Sequence, residues 1–417
     1  MQWRNVFKNQ QRWDWHLVMF FLNVFAVVYG YGLRGEAFQA AKLLRVGLVI
    51  ASLGSILWSG RNKKYLFDRH KSWVLYTFLL LYFLVSPFSV DFVRSLQRLI
   101  AWIPFLIYIN YFIIYLFENY SKDEAKIKLL QIFSLAYFFP VLIMLSNGVA
   151  FQTENAYGQS ISNYKTNVLS WACTVFVILS FDLYTNYKMP TWLKYTFFAT
   201  GVVTLWAIVL MGSRSSYASL GLSTMIVIWR SKISSIYLKG AIAICIAGFA
   251  YYIITSPNSV VNLRSEYATI RNQRKEVRLE LAEHAFQIFE NNPSVFFTGF
   301  GFDNFQAGLQ YYGGVQTELA SHNSYLEILF SGGGITFIFF LCFFVFNAVI
   351  KYYRFDSQYF IFMPPFLIIP YFESNLNAGQ FLFFPWMTFL FYYLHASSNQ
   401  YTLQQNAYEE PLKEAHR

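Results

Sequence analysis

LIAWIPFLIYINYFIIYLFE, residues 99–118, carries one charge, Glu118, in its whole length. About 20 apolar residues in a helix cross the roughly 30 Å hydrocarbon layer of a bilayer, and a helix satisfies its own backbone N–H and C=O groups where no water can. Runs of comparable length recur before it near 15–33, 44–60 and 72–89. After it they recur near 129–146, 166–184, 195–212, 215–230, 235–255, 324–350, 359–374 and 380–396. The spacing predicts an all-α polytopic membrane protein with about 12 transmembrane helices.

Composition excludes the soluble classes, since 56% hydrophobic, 21% aromatic and only 13% charged residues lie far from a globular average. A net charge of +10 raises the question of nucleic acid, but Lys and Arg stand in short groups between apolar runs, so no nucleic-acid partner is expected. The short segments 61–71 (RNKKYLFDRHK), 119–128, 185–194, 230–234 and 351–358, with both tails, hold 19 Lys or Arg; 34–45, 90–98, 147–165 and 213–214 hold seven. By the positive-inside rule the first set is cytoplasmic, which places both termini there. Residues 1–255 then hold helices 1–9, 256–323 form one extracytoplasmic loop, 324–396 hold helices 10–12, and 397–417 are a cytoplasmic tail. The apolar run after Arg4, Lys8 and Arg12 is too long for a cleaved leader and lacks a small-residue cleavage site. Cys173, Cys245 and Cys342 lie in apolar runs without CxxC spacing and read as packing residues.

The 256–323 loop is the sizeable polar segment. From Leu263 an apolar stripe passes through Tyr267, Ile270, Val277, Leu281, Ala285 and Ile288, one face of an amphipathic helix that Asn291-Asn292-Pro293 ends. Opposite lie Arg264, Arg271, Arg274, Lys275 and Arg278, with like charges four apart that repel unless an anion lies beside them. Glu276, Glu280 and Glu283 offset part of that charge, and an interfacial helix on anionic membrane lipid fits the pattern as well. A second cation, Arg214, sits in the turn GSRSS (212–216) between two spans, where burial costs at least ~2.5 kcal/mol unless the side chain snorkels or is paired. Its fixed bidentate fork suits a diphosphate better than lysine does.

His322 opens the tenth span in SHNSYLEILFSGGG (321–334), where the basic loop re-enters the membrane. A lone histidine is either a structural hydrogen-bonded group or a base. His284 belongs to the amphipathic helix and is explained by packing or exposure. The triplet Gly332-Gly333-Gly334 permits close helix contact or a local bend. No DxD pair, HExxH or carboxylate cluster marks the outer side, so neither metal nor cofactor is expected. Asp303, Glu318 and Glu327 are the acids nearest these blocks, any of them able to orient His322, and Glu373 is a further acid at an expensive depth.

GSRSS, VRLELAEHAFQIFENNP (277–293) followed by FTGFGFDNF (297–305), and SHNSYLEILFSGGG together resemble the O-antigen ligase and polymerase superfamily of bacterial envelope glycosyltransferases, over roughly 205–340. Ser162-Asn163-Tyr164 is a weaker family-like feature. The resemblance implies inverting, metal-independent transfer of a glycan from undecaprenyl diphosphate to an acceptor sugar hydroxyl at the outer face of the bacterial inner membrane. It implies His322 as general base and Arg214 and Arg278 as catalytic, diphosphate-binding arginines, with Arg271 and Arg274 as helpers. Asn323 matches the histidine's partner, Gly299 and Gly301 the small residues after the loop helix, and Glu373 is a further candidate to orient the histidine or an arginine. The acceptor is another lipid-linked glycan for a polymerase, the favoured reading, or lipid A core for a ligase. A lipid-linked oligosaccharide flippase or transporter and a non-catalytic scaffold are the competing classes, and neither makes a glycosidic bond.

Overall fold

The computed structural model describes residues 4–5, 14–32, 35–59, 63–66, 68–146, 166–211, 214–230, 240, 244, 251, 277–317, 321, 323–352 and 383–395. They are almost entirely helical. In chain order stand α1 (Trp15–Gly32), α2 (Gly35–Ser59), the single turn α3 (Lys63–Leu66), α4 (Arg69–Val85), α5 (Phe92–Asn119), α6 (Lys122–Ser146), α7 (Thr166–Asn186), α8 (Thr191–Met211) and α9 (Arg214–Arg230). There follow α10 (Val277–Asn291), α11 (Pro293–Thr298), α12 (Phe305–Gly313), α13 (Ser324–Phe340) and α14 (Phe383–His395). A π-helical turn at Leu341–Phe346 carries α13 on to Lys351. One two-residue parallel pairing, Arg4–Asn5 with Tyr187–Lys188, is the strand structure among the described residues.

Among the described residues six helices are long and apolar enough to cross a membrane: Gln39–Trp58, Lys71–Phe88, Phe92–Asn119, Lys122–Ser146, Thr191–Val209 and Ser324–Lys351. Trp15–Gly30 and Ser170–Tyr184 are shorter apolar helices. The chain is thus an all-α membrane protein. The expected spans at 235–255, apart from single helical positions, and at 359–374 lie outside the described residues.

Several helices overrun the ends that charge had marked. Residues 34–45, 90–98 and 119–128 read as loops in the sequence, yet α2 begins at Gly35, α5 at Phe92 and α6 at Lys122. Charge shows where hydrocarbon ends, whereas Lys, Arg, Glu and Gln are good helix formers in the aqueous boundary. Caps decide the true starts. The Asp91 carboxylate accepts from Arg94 N at 2.9 Å, and Ser121 and Glu124 form a reciprocal capping box, Ser121 N to Glu124 Oε2 at 3.0 Å and Glu124 N to Ser121 Oγ at 3.3 Å.

Helix α5 is the most enclosed of the six, with 72% of its apolar stretch buried, against 22% for α2, so α5 forms the axis and α2 an outer wall. Around it Phe20 of α1 stacks on Phe112 at 3.6 Å between centroids, and Phe384 of α14 approaches Phe20 at 5.4 Å. Polar side chains stitch the bundle where helices have no hydrophobic drive to associate inside lipid. Asn110 of α5 donates to Ser72 Oγ of α4 at 2.8 Å, and its Oδ1 lies 2.8 Å from His395 Nε2 of α14. Asp14, which caps α1, accepts from the hydroxyls of Tyr115 and Tyr120 at 2.6 Å each and ties the start of α1 to the end of α5.

A second, smaller core lies between α10, α11, α12 and the first half of α13. Leu281, Ala285 and Ile288, from the apolar stripe read in the sequence, pack there with Phe289, Phe300, Phe305, Leu309, Leu329 and Phe330, while its Leu263, Tyr267 and Ile270 lie outside the described residues. Helix α10 stops at Asn291, as Asn291-Asn292-Pro293 predicts. Both consequences proposed for the glycine triplet are realised at Gly333, whose φ of 73° and ψ of 176° break α13. A Cβ there would overlap the carbonyl oxygen of Phe297 and lie 2.8 Å from Thr298 N, so the bend and the close approach of α11 require glycine.

Candidate functional site

Residues 299–304 form a crossover strapped at both sides. Phe300 N donates to Phe330 O of α13 at 2.6 Å, and Val90 N donates to Phe300 O at 3.0 Å. Ser95 Oγ of α5 donates to Phe302 O at 3.3 Å and accepts from Asn304 Nδ2 at 3.0 Å; that amide also donates to Asp91 O at 2.9 Å. Gly301, at φ 98°, lets the crossover press against Ser89 and Ser95, where any Cβ would overlap both side chains. The loop named by FTGFGFDNF is therefore fixed to the α4–α5 turn and to the broken helix α13.

At the start of α13, Asn323 Oδ1 accepts from Tyr325 N and Leu326 N, each at 3.0 Å, and satisfies donors that the first turn leaves open. Ser321 Oγ lies 3.2 Å from Asn323 O and 3.5 Å from Glu327 Oε2, and Glu327 is buried. Tyr325 meets Trp386 of α14 edge to face at 5.6 Å. Ser321 and Asn323, the chain neighbours of His322, are thus anchored to the helix and, through it, to the bundle.

Arg278 is the second residue of α10 and Arg214 the first of α9. The helix bearing Arg278 and the helix that follows His322 share the smaller core through Ala285, Phe289, Leu329 and Phe330. Helix α9 packs against α7, with Tyr217 and Leu220 against the main core and Tyr217 Oη donating to Val209 O at 2.7 Å. The structure therefore brings together the Arg278 helix, the 299–304 crossover and the Asn323 turn. The side chains of Arg214 and Arg278, and residues Arg271, Arg274, His322, Glu373 and Ser162-Asn163-Tyr164, lie outside the described residues. Among the described residues, no group of three or more His, Cys, Asp or Glu could hold a metal ion.

One cluster escaped the sequence reading. Asp303, at φ 57° in the left-handed region, pairs through Oδ2 with Arg98 Nε at 3.3 Å, and Arg94 of the same helix and Lys42 of α2 act on the same carboxylate. Burial pushes the Asp303 carboxyl above its ordinary 3.8, a shift that Arg98, Arg94 and Lys42, in that order, oppose without overcoming. Asp303 is thereby assigned to Arg98. The available signal was Arg94 and Arg98 four residues apart in a segment expected outside the membrane; nothing local pointed to position 303.

Residues 199–341 match the family model described as O-antigen ligase. The match runs from within α8 through α9 and the smaller core to the end of α13, and it bears out over that segment the superfamily resemblance read from the three blocks. No curated protein matches the chain.

Proposed function

We propose, from the O-antigen ligase domain at residues 199–341, that this membrane glycosyltransferase moves a glycan from undecaprenyl diphosphate to an acceptor sugar hydroxyl, with inversion and without a metal. The observation that carries the reading is the family match itself, which encloses Arg214, Arg278 and His322 together. In this reading about twelve helices span the bacterial inner membrane, both termini are cytoplasmic, and the 256–323 segment works on the periplasmic side.

His322 acts as base. As the acceptor oxygen bonds to the anomeric carbon, its proton passes to the imidazole, a side-chain type suited to proton transfer near physiological pH. The anomeric carbon's bond to phosphate oxygen breaks, and its electron pair leaves with undecaprenyl diphosphate. Arg214 and Arg278 bind that leaving group, with Arg271 and Arg274 assisting, because fixed guanidinium donors stabilise the growing phosphate charge more in the transition state than before it. Asn323 supports the reaction by holding the turn beside His322, and Glu373 is the further residue proposed to orient the histidine or an arginine.

Polymerisation is the favoured outcome, with a second lipid-linked glycan as acceptor. The alternative is the ligase reading, in which lipid A core accepts, and the family match is compatible with both. Purified full-length protein in nanodiscs, given undecaprenyl-diphosphate-linked glycan with or without lipid A core, separates the two. Ladders on the polyprenyl carrier establish a polymerase and glycan on lipid A core a ligase; no new glycosidic bond with either acceptor removes the enzyme reading and leaves a flippase or scaffold.

A further inference from the structure

One cation pairs with the Asp303 carboxylate beside α5, and two more act on it electrostatically, one from α5 and one from α2. Arg98 pairs with Asp303 at 3.3 Å while its side chain stays 44% exposed, and Arg94 and Lys42, both half-buried, lie within electrostatic reach of the same group. Counting one charge each, Lys42, Arg94 and Arg98 against Asp303 and Asp91, which caps the same turn of α5, leave a surplus of one positive charge. Stability does not account for this surplus. Arg94 and Arg98 occupy the first two turns of α5, the end of a helix whose dipole disfavours cations, and the positive-inside rule would place them at the opposite membrane face.

The surface beside the cluster is apolar and open. Leu43, Leu44 and Ile50 of α2 are 75%, 58% and 59% exposed, and Val93 and Ile100 of α5 are 62% and 55% exposed. A cationic group beside an exposed apolar wall matches an amphiphile with an anionic head and a hydrocarbon tail. A lipid diphosphate and an anionic phospholipid share that chemistry, and continuity with the crossover favours the diphosphate. Asp303 also belongs to the crossover that joins the Arg278 helix to the helix after His322, so the cluster is mechanically continuous with the proposed site.

We infer that Lys42, Arg94 and Arg98 form a second lipid-diphosphate site, which holds the carrier of the acceptor glycan while Arg214 and Arg278 hold that of the donor. The inference rests on the glycosyl-transfer reading above and gives it a direction: an acceptor borne on a lipid diphosphate is the acceptor of a polymerase. Asp303 is a positioning residue here. Its carboxylate orders Arg98 and competes with an incoming anion for it.

Farnesyl diphosphate, binding to the full-length protein in phosphatidylcholine nanodiscs, is the probe, read as stoichiometry and affinity by equilibrium dialysis. Two molecules bind the wild-type protein. The combined Lys42→Gln, Arg94→Gln, Arg98→Gln variant weakens one of them at least ~10-fold, the effect of losing one or more charge-assisted hydrogen bonds, and leaves the other. Arg214→Ala with Arg278→Ala does the reverse. Asp303→Asn tightens the acceptor-side molecule about 3- to 10-fold by removing a like charge, a gain that misfolding cannot mimic. In turnover, the triple variant raises the acceptor KM while the donor KM holds. One bound molecule in the wild type, undiminished binding in the triple variant, or weaker binding in Asp303→Asn overturns the inference. Equal displacement by phosphatidylglycerol also overturns it, because the cluster then reads bulk membrane charge. A triple variant indistinguishable from wild type, beside Arg214 and Arg278 variants that lose transfer, refutes this site and leaves the proposed function standing.

Discussion

Replacing Gly333 with alanine should separate the two halves of the site. The backbone at φ 73° and ψ 176° lies where a side chain costs ~1–3 kcal/mol, and the new methyl would overlap Phe297 O and sit 2.8 Å from Thr298 N. Those neighbours are backbone atoms, so they yield only if α11 moves. Overpacking of this kind adds ~1–3 kcal/mol, for a combined cost on the order of 2–6 kcal/mol. Relief requires α11 to lift from α13, which loosens the Phe300 N to Phe330 O bond at 2.6 Å and shifts the crossover against the Asn323 turn. A displacement near ~1 Å is enough to lower transfer about 100-fold. The paired control is Gly47→Ala in α2, where a Cβ meets nothing within 4 Å and helix propensity favours alanine by ~1 kcal/mol. Thermal inactivation half-times in detergent and initial transfer rates in nanodiscs measure both variants. Wild-type inactivation and wild-type turnover in Gly333→Ala would refute the claim that this contact holds the site together.

Asn323→Ala should cost ~1 kcal/mol through loss of the cap and depress transfer, while Asn323→Ser, which can cap, retains most of both; circular-dichroism melts and turnover check this. His322→Ala should lower the single-turnover rate ~100- to 10,000-fold, and full activity in it would remove histidine as base. Arg214→Ala and Arg278→Ala should each lower that rate ~100- to 1,000-fold, and Arg214→Lys should recover little because a point charge lacks the fork. The raised carboxyl of Asp303 favours the folded protein while protonated, so this contribution is present below the unfolded value near 3.8 and is lost as pH rises through the higher folded value. Melting temperature should therefore fall with rising pH across that acid window in wild type and fall less in Asp303→Asn, and identical slopes would count against the burial of the group.

The sequence by itself determined the membrane class, the amphipathic stripe of α10 and its stop at Asn291-Asn292-Pro293. Those properties depend on residues close in the chain, through apolar length, helical periodicity and a proline that cannot continue the ladder. The family resemblance was legible for the same reason, since its blocks are contiguous. Helix ends were less legible, because charge marks the edge of hydrocarbon while Asp91 and Ser121 mark the start of a helix. Gly299, Gly301 and the triplet at 332–334 were visible as small residues. Only tertiary structure decided that Gly333 breaks α13 under α11, and that Gly301 presses on Ser89 and Ser95. Asp303 offered a choice of partners on paper, and folding gave it Arg98, about two hundred residues away. Such pairings arise from how helices pack, and no local pattern encodes the distance between two charges that only the packed bundle brings within 3.3 Å.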